Sequence, residues 1–184
     1  MMNKIAVVFQ SKYGTTKKYA EWIAKELSAT IFERHSVKVD ELEDYDTIIY
    51  GGGLYAGGVS GIDLIKKNFE KLNDKNIILF TCGLADPTDK ENTDGIKKGL
   101  KKILTSQMQE KIKMFHLRGG IDYSKLGFVH KAMMAMLHRM MTKKDYNTLR
   151  NEDKEMIKTY GTVVDFTDQS TIIPIIEYVR GIRA

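Results

Sequence analysis

Six residues near the start of the chain have side chains suited to binding an anion. They are Ser11, Lys12, Tyr13, Gly14, Thr15 and Thr16. An apolar run at 4–10 precedes them and predicts a buried strand, and apolar residues at helical spacing over 15–28 predict a helix. The N–H groups that open such a helix have no intrahelical partners and carry the positive end of its dipole. Hydroxyls and amides together predict a phosphate loop, with an ordinary Ser/Thr-capped turn as the alternative.

This segment differs from two well-known kinds of phosphate-binding loop. It lacks the Gly-Lys-Ser/Thr ending of one such loop and the Gly-x-Gly-x-x-Gly spacing of dinucleotide-binding turns. The pattern therefore favours holding a phosphate over transferring it.

A second loop, at 51–61, is dense in glycine and has Tyr55 at its centre. Glycine allows a backbone to approach a ligand closely, and a tyrosine ring can stack on another flat ring. The loop therefore predicts contact with a planar group. The alternative is a mobile glycine-rich loop with a surface tyrosine.

The elements that must position these loops alternate between strand and helix. Apolar runs predict strands at 4–10, within 30–39, and at 47–50, 76–81, 112–117 and 163–166. Helical spacing predicts helices at 15–28, 61–72, 94–106 (with Asp94 as N-cap) and 171–180. This order predicts one α/β domain over residues 1–184, with a parallel sheet and helices on both faces. Ligands of such sheets bind beyond the carboxyl ends of the strands, which points to the loops at 11–16, 51–61 and 81–89.

A long segment at about 120–160 separates the last two predicted strands and contains a methionine-rich helix. Its predicted apolar face consists of Leu126, Val129, Met133, Met136, Leu137 and Met140, and its other face carries Lys131, His138 and Arg139. No acidic residue occurs between Asp122 and Asp145. A basic amphipathic helix can lie on a membrane or bind an apolar ligand. It can equally pack on its own domain.

Composition excludes several classes of protein. The chain is 42% hydrophobic and 29% charged, so it is neither disordered nor fibrous. A single cysteine, Cys82, excludes an internal disulfide and a cysteine zinc site. No metal-binding pattern, zinc-finger spacing or nucleic-acid motif occurs, and no apolar run is long enough to span a bilayer. We therefore expect a cytoplasmic protein without metal or nucleic acid, with the segment 125–144 as a possible peripheral contact on the inner face of the membrane.

The pattern Ser11-x-Tyr13-Gly14-x-Thr16 after the first strand resembles the phosphate loop of the flavodoxin family. That family usually has threonine where this chain has Tyr13. The order of elements is similar over nearly the whole chain. The resemblance implies a doubly wound five-stranded parallel sheet, a helical insertion that splits the last strand, and non-covalent FMN.

The resemblance also implies which residues contact the cofactor. The phosphate would lie on residues 11–16. The flavin would lie against Gly53, Leu54, Tyr55, Ala56 and Gly57, and a backbone flip at Gly57 would follow the protonation of flavin N5. The amides of a third loop, Thr81, Cys82, Gly83, Leu84 and Ala85, would face the pyrimidine edge of the flavin. Cys82 could alternatively be redox-active, although a lone cysteine after a buried strand is usually a packed side chain.

The insertion resembles that of the flavodoxin-like protoporphyrinogen oxidases, which pass electrons to quinone. The similar residues are Arg118-Gly119-Gly120-Ile121-Asp122-Tyr123-x-x-Leu126 and the helix ending Arg139-Met140-Met141. This branch implies an FMN oxidoreductase acting on a tetrapyrrole, with a quinone as a further partner. Lys125, Lys131 and Arg139 are candidate contacts for substrate carboxylates. The alternatives are an electron carrier between proteins, which the net charge of +5 disfavours, and a scaffold without flavin.

Overall fold

A computed structural model describes residues 4–55 and 58–182. The strands are β1 Ile5–Gln10, β2 Thr30–Glu33, β3 Thr47–Tyr55, β4 Gly58–Val59, β5 Asn76–Gly83, β6 Lys113–Arg118, β7 Gly120–Asp122 and β8 Val163–Asp165. The α-helices are α1 Thr15–Leu27, α2 Val39–Leu42, α3 Asp63–Lys67, α4 Phe69–Leu72, α5 Lys90–Ile103, α6 Ser106–Lys111, α7 Phe128–Thr142, α8 Asn151–Thr159 and α9 Ile173–Ile182.

The central sheet has the strand order β2-β1-β3-β5-β6, and all four neighbouring pairs are parallel. The predicted five-stranded, doubly wound parallel sheet is therefore confirmed. The short strand β4 adds an antiparallel hairpin at the end of β3. The strand order reverses between β1 and β3, which places the loops after these two strands beside each other.

Both faces of the sheet are buried, which explains the uninterrupted apolar runs. Along β1, Val7 packs with α1 and α9, while Val8 packs with the helices on the opposite face. Ile48 and Ile49 of β3 divide between the two faces in the same way. Alternate side chains of a strand point to opposite faces, so a strand covered on both faces is apolar at nearly every position.

The insertion leaves the sheet just after β6 and returns through a two-stranded ribbon. In this ribbon β7 pairs antiparallel with β8, with Ile121 opposite Val164. The helices α7 and α8 lie between these strands in the chain. The predicted insertion of about 120–160 is thus a ribbon that carries two helices.

One helix start differs from the prediction. The structure begins α5 at Lys90, and the side chain of Asp89 accepts a hydrogen bond from the Glu91 N–H at 2.9 Å. Asp94, the predicted N-cap, is an internal residue that pairs with Lys90 at 2.6 Å. The polar first turn of the helix carries little apolar periodicity, so the sequence pattern placed its start too late.

The packed face of α7 agrees with the prediction only in part, since Leu126 is buried and Met133 and Leu137 pack in the same cluster. Met134 and Met141 are buried, whereas Val129, Met136 and Met140 are 74%, 57% and 56% exposed. Two histidines explain the difference. His138 stacks on Tyr160 with ring centroids 4.0 Å apart, and His130 contacts two tyrosine rings. Hydropathy assigned His138 to the polar face, but its ring packs as an aromatic one.

Within residues 4–55 and 58–182, no helix has the length and apolar character needed to cross a membrane.

Candidate cofactor site

The start of α1 provides unpartnered backbone donors. Gly14 adopts φ +97°, a left-handed conformation that glycine accepts readily, and its N–H donates to Ser11 Oγ at 3.1 Å. Among the residues that the structure describes, no side chain caps the helix, and its first turn contains no acidic residue. The N–H groups of this turn therefore remain available to an anion, and the hydroxyl hydrogen of Ser11 is free to point the same way.

Thr15 and Thr16 lie where several strand ends meet. Thr16 is only 2% exposed, and a Cβ placed on Gly53 would lie 3.7 Å from its Oγ1. Thr15 Oγ1 lies 3.5 Å from the thiol sulfur of Cys82, which donates to it. A Cβ on Gly119 would lie 2.7 Å from that sulfur, so only glycine fits there without a shift. The first loop, β3, β5 and the end of β6 thus converge at one place.

Cys82 is a packed thiol in this arrangement. It is 5% exposed, and burial raises its pKa to about 11 against the opposing effect of hydrogen bonds with Thr15 and Thr16. A thiol with so high a pKa is a poor nucleophile near neutral pH. The predicted contact of Cys82 with a cofactor would therefore be made by its backbone.

The rest of the third loop is held by neighbouring residues. The Thr81 hydroxyl lies 2.8 Å from His116 Nδ1, so it is already engaged. A Cβ on Gly83 would lie 2.9 Å from the Leu54 side chain, which shows that the second and third loops touch. The residues that follow, Leu84 and Ala85, are half-buried.

Arg118, at the end of β6, ties the third loop to the insertion. Its Nε donates to the Leu84 carbonyl at 3.3 Å and its Nη1 to Asp86 at 3.1 Å. Its Nη2 pairs with Glu155 of α8, and its guanidinium lies 3.9 Å from the ring centroid of Phe166. Hydrogen bonds from Thr88, together with the charge of Arg118, hold the pKa of Asp86 below its usual value.

The second loop places Tyr55 against the insertion. Tyr55 ends β3, is 44% exposed, and donates from its hydroxyl to Met133 Sδ at 3.3 Å. Its ring meets the ring of His130 edge-on, with centroids 4.8 Å apart. The predicted contacts Ala56 and Gly57 lie outside the described residues.

The three candidate substrate contacts lie on the exposed surface of the insertion. Lys125 pairs with Asp122 at 3.2 Å. In the described part of the chain, neither Lys131 nor Arg139 takes part in an ion pair. Among the same residues, no group of three or more His, Cys, Asp or Glu side chains is placed to hold a metal ion.

Comparison with known proteins identifies the family. The model of the flavodoxin domain family matches residues 6–159. The chain belongs to the flavodoxin domain family. Membership in this family supports FMN as the cofactor, and the uncapped, acid-free start of α1 suits the phosphate of FMN.

Individual relatives are distant. An uncharacterised protein of Methanocaldococcus jannaschii is 33% identical over 99 residues, which cover 51% of this chain and 66% of that protein, just under two thirds of its length. Protoporphyrinogen IX dehydrogenase [quinone] of Escherichia coli strain K12 is 19% identical over 144 residues, covering 74% of this chain and 80% of the relative.

Two solved structures illustrate the structural similarity. Oxidised flavodoxin 2 from Bacillus cereus is 18% identical, with 62% of this chain and 84% of that chain covered and a TM-score of 0.44. A flavoprotein from Lactobacillus acidophilus NCFM in complex with FMN is 14% identical, with 63% and 92% covered and a TM-score of 0.40.

Sequence reasoning missed two residues of this region. No sequence motif includes His130, and Arg118 enters only through the resemblance of the insertion. The sequence feature that could have indicated a partner such as His130 is Tyr13. Its side chain is longer than the threonine usual at this position, so its hydroxyl reaches a partner farther from the loop.

Proposed function

We propose that this protein is an FMN-dependent oxidoreductase. The observation that carries the proposal is the uncapped start of α1, whose free amides lie beside Ser11 and Thr16 and close to the strand end that leads to Tyr55. The phosphate of FMN would bind at the start of α1 through residues 11–16. The flavin would lie between the second and third loops, at residues 53–57 and 81–85. Bound FMN supplies the redox chemistry, and the protein orients it.

The proposed substrate is a protoporphyrinogen-type tetrapyrrole, with a quinone as electron acceptor. The named Escherichia coli relative and the insertion support this choice. Through Tyr55 and Met133 the insertion touches the loop that would hold the flavin, so it borders the position from which a substrate must approach. Lys131 and Arg139 would attract the carboxylates of the tetrapyrrole.

The exposed face of α7 supports a contact with the inner surface of the membrane. Four large apolar side chains protrude from it, Phe128 at 88%, Val129 at 74%, Met136 at 57% and Met140 at 56% exposure. The segment from Tyr123 to Lys144 contains cations but no acid. Apolar side chains flanked by cations suit an anionic lipid surface, where a quinone would also be found.

An electron carrier between proteins is the second candidate function. The chemistry of FMN would be the same, but the protein would turn over no small substrate. The net charge of +5 would then require an acidic partner.

The test begins with purified protein incubated with FMN and freed of excess cofactor. We expect a bound flavin spectrum. Reduced tetrapyrrole and quinone are then added, and porphyrin fluorescence is followed against free FMN and against protein without flavin. Fluorescence above both controls is expected for the enzyme. Bound flavin without turnover would favour the carrier, and no flavin binding would exclude both functions.

A further inference from the structure

His130 of the insertion lies between two loops of the candidate cofactor site. Its Nδ1 is 2.6 Å from the hydroxyl oxygen of Tyr13, and its Nε2 is 3.3 Å from Lys12 Nζ. Its ring contacts the ring of Tyr55 edge-on at 4.8 Å. Residues of the first loop, the second loop and α7 thus meet around one imidazole.

The hydrogen-bonding capacities of Lys12, His130 and Tyr13 determine which atom carries each shared hydrogen. The Lys12 ammonium can only donate, so the Nε2 of a neutral His130 must accept. The ring hydrogen is then on Nδ1, which donates to the oxygen of Tyr13. Burial raises the pKa of Tyr13, and a hydrogen bond with the backbone of Gly127, just before α7, opposes this, as a backbone N–H that donates to the phenol oxygen does. Tyr13 therefore keeps its own hydroxyl hydrogen, free to donate to another group.

Tyr13 lies at the boundary between the first loop and the second loop. Burial raises the pKa of its phenol, so the hydrogen stays on the oxygen at neutral pH. The rings of Tyr13 and Tyr55 both meet the His130 ring edge-on, with centroid distances of 6.0 and 4.8 Å, so the two loops adjoin at this point. A cofactor that bridges these loops would pass beside it.

We propose that His130 is a positioning residue of the FMN site and that it couples FMN binding to the docking of α7. His130 directs the Tyr13 hydroxyl hydrogen towards the cofactor, and this hydrogen bond takes the place of the threonine contact usual in the family. The inference rests on the proposed placement of FMN. Coupling is reciprocal, so FMN must also stabilise α7 on the loops, and with it the orientation of the exposed apolar face.

The experiment measures two quantities, the Kd for FMN and the hydrogen exchange of residues 128–142 with and without FMN. In the wild-type protein we expect FMN to slow exchange in α7. In His130→Ala we expect FMN to bind about tenfold more weakly, the equivalent of one hydrogen bond, and to slow this exchange no longer. His130→Asn retains an N–H near the position of Nδ1, so it should restore most of the affinity.

Two further variants make the result specific. His138→Ala removes the other aromatic histidine of α7, which stacks on Tyr160 within the insertion, and should bind FMN as the wild type does. Tyr13→Phe removes the hydroxyl and should weaken FMN about as much as His130→Ala, with little added loss in the double variant. Tyr13→Phe also tests the proposal if His130→Ala fails to fold.

The outcomes separate this inference from the proposed function. If the wild type binds FMN but His130→Ala and Tyr13→Phe bind it equally well, His130 has no positioning role and the cofactor site stands. Equal exchange of α7 with and without FMN would exclude the coupling. A wild-type protein that binds no FMN would overturn both the site and the inference.

Discussion

The guanidinium of Arg118 pairs with the carboxylate of Glu155, so the end of the sheet is fixed to a helix of the insertion. The same guanidinium holds Asp86 and the Leu84 carbonyl of the third loop. Arg118 therefore joins two parts of the molecule that both border the candidate cofactor site. Its side chain is 20% exposed, so solvent screens these contacts only in part.

Arg118→Met should destabilise the fold by about 1–3 kcal/mol, because two carboxylates and a carbonyl lose a partner that is largely buried. Thermal unfolding should show a melting temperature lower by several degrees. Arg150→Met is the control, since Arg150 pairs with Glu152 and Asp153 of the adjoining helix α8. Equal losses of melting temperature in the two variants would show that the contacts of Arg118 stabilise the protein no more than a local ion pair does.

Thr15→Asp should raise stability and lower FMN affinity together. The first turn of α1 has no acid, so a carboxylate there gains about 0.3–1 kcal/mol from the helix dipole. The same charge would repel the phosphate of FMN from its proposed position. Melting of the flavin-free protein and FMN titration measure the two effects. Ser106→Asp at the start of α6 is the control and should leave FMN affinity unchanged. If Thr15→Asp binds FMN as tightly as the wild type, the phosphate does not bind at the start of α1.

Tyr55→Ala should weaken FMN and restore flavin fluorescence. Aromatic stacking contributes on the order of 1 kcal/mol beyond burial, and it quenches the emission of a stacked flavin. Tyr55→Phe keeps the ring and should behave as the wild type in both measurements. Tyr146→Ala removes an equally exposed tyrosine of the insertion and serves as the control. Full quenching in Tyr55→Ala would mean that the tyrosine does not contact the flavin.

The exposed face of α7 should bind anionic vesicles. Met136→Ser with Met140→Ser should reduce sedimentation with phosphatidylglycerol vesicles and leave the melting temperature almost unchanged, because both side chains are more than half exposed. Lys131→Gln with Arg139→Gln should weaken the same binding by roughly 1 kcal/mol per charge, and salt should reduce the difference. Ile173→Ser, on α9, is the apolar control. Unchanged vesicle binding in both double variants would exclude this surface.

Cys82 should react slowly with iodoacetamide in the folded protein. With a pKa of about 11, roughly one thiol in a thousand is ionised at pH 8, and this fraction rises about tenfold per pH unit below the pKa. The measured rate should therefore increase in the same proportion between pH 7 and pH 9. Protein unfolded in urea is the control and should react rapidly, since an exposed thiol has a pKa of about 8.5. Rapid alkylation of the folded protein would show that the thiol is accessible and activated.

The sequence alone determined the sheet and the position of the loop that precedes α1. A strand covered on both faces must be apolar at nearly every position, so β1, β3 and β5 were visible as continuous runs. The loop at 11–16 could be identified from the sequence because the residues that form a helix start are adjacent in the chain. The cations and methionines of the insertion were visible in the same local way.

Only the tertiary structure decided how the insertion meets the sheet. Tyr13 and His130 are separated by 117 positions, and Arg118 and Glu155 by 37, so no local pattern relates them. The rotation of α7 about its axis was also beyond the sequence, because a histidine ring counts as polar in a hydropathy pattern and yet packs on tyrosine when the fold brings one within reach. These contacts join residues that are distant in the chain. They form only because the packing of the whole molecule places the insertion against the loops of the sheet.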